Sequence, residues 1–196
     1  MIDYAFYYFG PHLFHVKVDL NFCNKLLIRG SEKKNNCAKH LAGYFDTEYA
    51  FSEDDKQFFL TNLEKVFETF SKSSQHFYNQ KLFETLELQN LWINFMHKGD
   101  FNPMHTHNGD LSFVLFLKVP DKLKQENKEY SGTDNVGPGA ITFEWGENLD
   151  GFVSQKNVLP EAGDFFIFPA KLRHMVYPFK SDVERVSVAG NFNYVR

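Results

Sequence analysis

The chain has 196 residues, enough for one domain with a sizeable core and marginal for two. Apolar residues make up 43% of it, 23 residues are Phe and the formal net charge is -4, a balance that argues against a disordered chain and against a dedicated nucleic-acid binder with its basic stripe. No apolar run approaches the ~18 residues of a membrane-spanning helix, so no membrane partner is expected. The stretch "MIDYAFYYFGPHLFHVKVDL" has no basic leader or small-residue cleavage site, and a soluble, cytoplasmic protein is the expectation. Next, "DLNFCNKLLIRG" reads as a short helix with Asp19 or Asn21 as N-cap and Gly30 as its stop. Cys23 and Cys37 have the spacing of neither a zinc motif nor a disulfide framework and read as buried reduced thiols. A longer helix is expected in "SEDDKQFFLTNLEKVFETFSKSSQHFYNQ". There Ser52 can cap, acids 53–55 suit the positive helix end, and Phe59, Leu63, Val66, Phe67, Phe70 and Phe77 form a core-facing stripe.

From residue 84 onward the pattern changes to strands and turns. "LWINFMH", "LSFVLFLKVP", "GAITFEW", "DFFIFP" and "RVSVAGNFNYV" are short and aromatic-rich, and Gly, Pro, Asn and Asp bound them. The series points to a mainly β fold with flanking α-helices, a sandwich or barrel in one domain over 1–196. Residues 1–83 would form mostly helical support, and 84–196 the β core. Segment 121–139 is polar and turn-rich and reads as a long surface loop with the position of a lid.

Within "GDFNPMHTHNGD", His105 and His107 stand one residue apart at the start of an apolar strand. Residues two apart on a strand share a face, so their ring nitrogens can converge on one cation. His174, in "GDFFIFPAKLRHMVYPF", is the candidate third ligand, because a turn after Pro169 can bring it back across the sheet. Three such groups on one side of an octahedral ion leave open positions, which suits iron(II); the spacing by itself also admits zinc. His12, His15, His40, His76 and His97 read as structural.

These segments together resemble the iron(II)- and 2-oxoglutarate-dependent oxygenases, most closely their small prolyl-hydroxylase-like branch in bacteria and phages. "LWINFMHKGDFNPMHTHNGDLSFVLFLKVP" is similar to the first ligand region of that family, "GAITFEW" to its middle strand, and "AGDFFIFPAKLRHMVYPFKSDVERVSVAGNFN" to its closing signature. The resemblance covers roughly residues 90 to 196 and implies a double-stranded β-helix, or cupin-like jelly roll. It also implies iron(II), 2-oxoglutarate and oxygen as cofactor and cosubstrates, with His105 and His174 as ligands. Arg185 would pair with the 5-carboxylate of 2-oxoglutarate and Ser187 would donate a hydroxyl to it. Asn94 and Asn191 are candidates to orient ligands or cosubstrate.

The chain departs from the family at one ligand. Where the family has Asp, this sequence has His107, giving three histidines; alternatively Asp110 supplies the carboxylate and His107 supports it. The implied reaction is hydroxylation of a C–H bond in a peptide, protein or small molecule, with release of succinate and carbon dioxide. Phe101, Phe113, Phe116, Phe166 and Trp145 are candidate cavity aromatics. A metal-binding cupin is the rival, although Leu111 and Ser112 stand where its first motif wants Glu; a module in which metal only staples the fold is a third reading.

Overall fold

The computed structural model describes residues 10–130, 137–147 and 154–196. Among the described residues, ten strands form two antiparallel sheets. They are β1 (Phe14–Lys17), β2 (Glu48–Ala50), β3 (Thr85–Met96), β4 (Asn102–His105), β5 (Leu111–Lys118), β6 (Ile141–Glu144), β7 (Gln155–Val158), β8 (Asp164–Pro169), β9 (Arg173–Val176) and β10 (Arg185–Val195). The large sheet has the order β1-β8-β5-β10-β3-β2 and the small one β4-β9-β6-β7. The chain changes sheet after β3, β4, β5, β7, β8 and β9, which makes the double-stranded β-helix expected from the sequence.

The large sheet is buried on both faces, and the two-residue period of its strands sorts side chains between two cores. Leu111, Phe113, Leu115 and Leu117 of β5, Ile93 of β3 and Val186 and Val188 of β10 point outward, under helices α1 (Leu20–Ser31), α2 (Glu53–Asn62) and α3 (Glu64–Tyr78). There they meet Phe22, Leu26, Phe59, Leu63 and Phe70. Phe116, Phe166, Phe168 and Met96 point inward and pack on Ile141, Phe143 and Val176 of the small sheet. Five residues break this apolar inner face: Glu48, Asn94, Ser112, Arg185 and Ser187 are polar and buried there. Natural cores bury such groups only where something binds or pairs with them.

Several expectations need correction. The support before residue 84 includes β1 and β2, which extend the large sheet at its two edges. Asp19 caps α1 through Asn21 N, but the helix runs past Gly30. A Cβ on Gly30 would lie 2.2 Å from Ile93 Cδ1, so this glycine serves close helix–sheet packing and not termination. The longer helix is two. Ser52 caps α2 in a reciprocal box with Asp55, and the chain leaves helical geometry at Leu63 (φ -107°, ψ 11°), whose side chain is buried in the core. Of the expected stripe, Phe77 is exposed, near the end of α3.

The expected loop 121–139 begins as α4 (Asp121–Glu129). Leu123 anchors this helix, and Glu126 accepts hydrogen bonds from the backbone N–H groups of Lys180 and Ser181. Residues 131–136 of that segment lie outside the described residues, and with them the reading as a lid. Cys23 and Cys37 are free thiols, the first buried and the second half-buried. Among the described residues, no helix is long and apolar enough to cross a membrane.

Candidate metal centre

β4 and β9 pair antiparallel at one edge of the small sheet, with His105 and His174 as register partners. His107 follows β4 in the turn to β5, where its N–H donates to the carbonyl of Ala170 and its own carbonyl accepts from Lys171 Nζ. A turn beginning at β4 and another leaving β8 therefore bring three imidazoles together from positions far apart in sequence. One nitrogen from each of His105, His107 and His174 lies within 4.8 Å of the others. The Nε2 atoms of His107 and His174 are 3.1 Å apart.

Two backbone contacts decide which nitrogens face the centre. His105 Nδ1 donates to the carbonyl of Pro103 at 2.7 Å, and His174 Nδ1 to that of Leu172 at 2.9 Å. Each bond holds the proton on Nδ1 and leaves the lone pair on Nε2, as a metal ligand requires, and that of His174 accepts a hydrogen bond from His107 Nε2. Burial lowers all three imidazole pKa values, to about 4 for His107 and about 3 for His174, and His105 adds to both through its charge. The rings are neutral at pH 7, the ligating form. Asp110 stands apart from them, with Oδ2 accepting from Tyr194 N at 2.7 Å, so the structure leaves His107 and not Asp110 in the cluster.

The same inner pocket contains Arg185, 3% exposed and on the inward face of β10. Its Nη1 donates to the carbonyl of Gly139 at 3.1 Å, its guanidinium lies 5.2 Å from the Phe116 ring, and its Nε is buried without a partner. Burial pulls its pKa down to about 10, still above neutrality, so a buried cation stands here with its fork incompletely used. Two residues along, Ser187 accepts a hydrogen bond from Asn94 Nδ2 at 3.3 Å, which frees the serine hydroxyl hydrogen to point elsewhere. This donor set fits a carboxylate, and the three converging imidazole nitrogens fit a divalent metal.

Of the remaining expectations, Phe116 points into the pocket and Phe113 borders it from a strand position whose ring stacks on Phe59 under the helices, while Phe101, Phe166 and Trp145 do not line it. Phe101 packs on Tyr44, Phe166 stacks on His15, and Trp145 is 44% exposed. Asn191 lines an outer groove of about 620 Å³ that also contains Trp92, Asn90 and Asn108 and reaches His105 and His107. Sequence reasoning missed Trp92, Asn102, Ser112 and Glu48, all of which line the inner pocket. For Glu48 no local signal existed, since "EYA" gives no period; only its pairing with Asn94 places it there.

No curated protein matches the chain in sequence. The chain is similar in structure to a 2OG-Fe(II) oxygenase family oxidoreductase from Burkholderia pseudomallei (TM-score 0.61, 13% identity, covering 92% of this chain and 84% of that one). It is also similar to a prolyl-4-hydroxylase from Pseudomonas putida (0.55, 17%, 94% and 92%). A third is the viral collagen prolyl hydroxylase of Paramecium Bursaria Chlorella virus-1 in complex with 2OG (0.57, 13%, 93% and 96%). At these identities the likeness establishes the fold, and the sequence match goes further. A family model of 2OG-Fe(II) oxygenases matches residues 90–191, more than half of the chain and a span that includes the three histidines, Asn94, Arg185 and Ser187. The chain belongs to the 2OG-Fe(II) oxygenases, whose metal is iron(II) and whose cosubstrates are 2-oxoglutarate and oxygen.

Proposed function

We propose that the protein hydroxylates a C–H bond of a peptide substrate, with His105, His107 and His174 as the iron ligands and Arg185 and Ser187 as the clamp on the far carboxylate of 2-oxoglutarate. Bound iron(II), with 2-oxoglutarate and oxygen, supplies the oxidising power that removes a hydrogen atom and returns a hydroxyl, while succinate and carbon dioxide leave. The chain's own residues bind, orient and keep water out. The Nδ1 bonds of His105 and His174 fix both rings before any ion arrives. Arg185 offers a planar fork that recognises a carboxylate by shape as well as charge. Phe116, Val114, Ile141 and Phe168 line the pocket around these groups and favour charge–charge recognition by excluding solvent.

One observation carries the reading: a fully buried guanidinium with an unpartnered Nε shares a pocket with three neutral imidazoles. A cupin that binds only metal has no need of such a cation. The outer groove beside His105 and His107 supports a peptide, because its carboxamides at Asn90, Asn108 and Asn191 match backbone amides and Trp92 offers an apolar surface. The fold does not choose the chemistry: SnoN of nogalamycin biosynthesis, similar in structure, is an alpha-ketoglutarate-dependent epimerase.

The test is anaerobic addition of iron(II) and then 2-oxoglutarate, followed by visible spectroscopy and by succinate release over a panel of peptides and small metabolites. A charge-transfer band that needs both additions, with succinate release stimulated by peptides, supports the reading. Retention of zinc with no such band would sink it, and stimulation by small molecules alone would replace the peptide.

A further inference from the structure

The inner pocket holds a second buried ionisable group to which the cosubstrate clamp gives no role. Glu48, on edge strand β2, is 1% exposed, and its Oε2 makes no hydrogen bond. It is the one acidic side chain that lines the pocket among the described residues. Register fixes its place relative to the clamp. Glu48 opposes Asn94 on β3, and Asn94 opposes Ser187 on β10, so the three occupy one row across neighbouring strands and all face inward. Strands lie ~4.8 Å apart, which puts the Glu48 backbone ~10 Å from that of Ser187, a gap a glutamate side chain and a small dicarboxylate can bridge. The next row toward the mouth, Ala50, Trp92 and Ala189, carries no ionisable group.

Segment 41–47 covers this carboxyl. A Cβ on Gly43 would lie 3.1 Å from Oε2 and 2.6 Å from the Phe45 ring, so the glycine leaves just enough room for the acid beneath the backbone. Among the described residues, no cation pairs with its Oε2. Around it stand Cys37, whose N–H donates to the Glu48 carbonyl and whose thiol burial keeps neutral with a pKa near 11, the three neutral imidazoles and Arg185. Burial pushes the Glu48 pKa up to about 8. At neutral pH the side chain is a carboxylic acid, a hydrogen-bond donor.

An ionised glutamate in this row would repel a dianionic ketoacid held by Arg185; a protonated one completes the donor set already made by Ser187 and Asn94. We infer that Glu48 is a cosubstrate-binding residue that donates a hydrogen bond to the far carboxylate of 2-oxoglutarate from β2, across β3 from the strand that carries Arg185. This rests on the reading of Arg185 and Ser187 as the clamp.

The experiment is calorimetric titration of 2-oxoglutarate into the manganese(II)-loaded full chain from pH 7 to 9, a window below the titration of Arg185 and one in which neither the ketoacid nor the histidines titrate. Wild-type affinity is expected to fall above pH 8, approaching about tenfold per pH unit. Glu48→Gln, whose amide donates at every pH, is expected to stay within about threefold of wild type at pH 7 and to show a flat profile. Glu48→Ala should be about tenfold weaker at pH 7, and also flat. A wild-type profile that is flat, or a Glu48→Gln profile that falls like wild type, overturns the inference. If Arg185→Ala abolishes binding in either of those cases, the clamp stands and only the role of Glu48 is lost. If Arg185→Ala binds like wild type, the clamp itself is wrong. Should a Glu48 variant fail to fold, as circular dichroism would reveal, the wild-type profile alone decides.

Discussion

His105 and His174 are register partners on adjacent antiparallel strands, and each donates its Nδ1 proton to the carbonyl two residues before it, Pro103 and Leu172. The same local device on β4 and β9 aims two Nε2 lone pairs at one point, with ring centroids 4.3 Å apart. Alanine at either position should weaken manganese(II) or iron(II) binding by at least about a hundredfold, with the far-ultraviolet dichroism of the apo protein unchanged. His107→Asp, which adds the negative charge this site lacks, should bind metal at least as tightly as wild type. Wild-type metal affinity in His174→Ala would remove the centre from the molecule.

Arg185 is expected to be costly to the empty protein and indispensable to the loaded one. Its burial without an acidic partner strains the fold, so Arg185→Leu should raise the apo protein's stability by about 1–3 kcal/mol, read as a higher thermal midpoint. The same variant should lose 2-oxoglutarate binding while retaining metal. Arg185→Lys keeps the charge and loses the fork, and should bind the ketoacid about ten to a hundredfold more weakly than wild type. Loss of metal and ketoacid together in Arg185→Leu would mean that the residue is structural.

The parts of the molecule legible in the sequence are those whose signal is local. Strands such as "LSFVLFLK" and "DFFIFP" are read from their composition, and the His-x-His pair from its spacing. Strands β1, β2, β4, β7 and β9 have three or four residues each and sit at sheet edges or in the small sheet, too short for a period to show. Asn94, Arg185 and Glu48 meet only because β3 lies between β2 and β10, a relation set by long-range pairing. The break at Leu63 and the helix at 121–129 were hidden for a similar reason, since tertiary packing of Leu63 and Leu123 outweighs the local pattern.

Gly190 marks a tight crossing in the large sheet. On β10 between β3 and β5, a Cβ there would lie 2.3 Å from the Asn90 carbonyl oxygen and 2.4 Å from the Phe113 ring. Backbone on one side and a fully buried aromatic on the other leave little to yield. Gly190→Ala should cost about 3 kcal/mol in urea unfolding, while Gly10→Ala, with open space around it among the described residues, should cost almost nothing. Equal stability of the two variants would contradict this packing.

Asp55 ties α1 to α2 and gives the fold an acid limit. It is 2% exposed, accepts hydrogen bonds from Ser52 N and Oγ, and pairs with Arg29 at 3.1 Å and Lys33 at 2.6 Å. Burial pushes its pKa upward, but the bonds from Lys33, Ser52 and Arg29 outweigh it and hold the carboxyl near 2. The unfolded chain takes up this proton near pH 3.9 while the folded one resists, so the stabilisation is complete above about pH 4 and drains away as the pH falls toward 2. Asn at this position can still cap α2 but cannot attract the two cations, and Asp55→Asn should cost on the order of 3 kcal/mol at pH 7. The gap between wild type and variant should then close between pH 4 and pH 2. Urea unfolding of both proteins at pH 7 and pH 2.5 measures it, and a gap of the same size at both would mean that hydrogen bonding, and not charge, makes Asp55 stabilising.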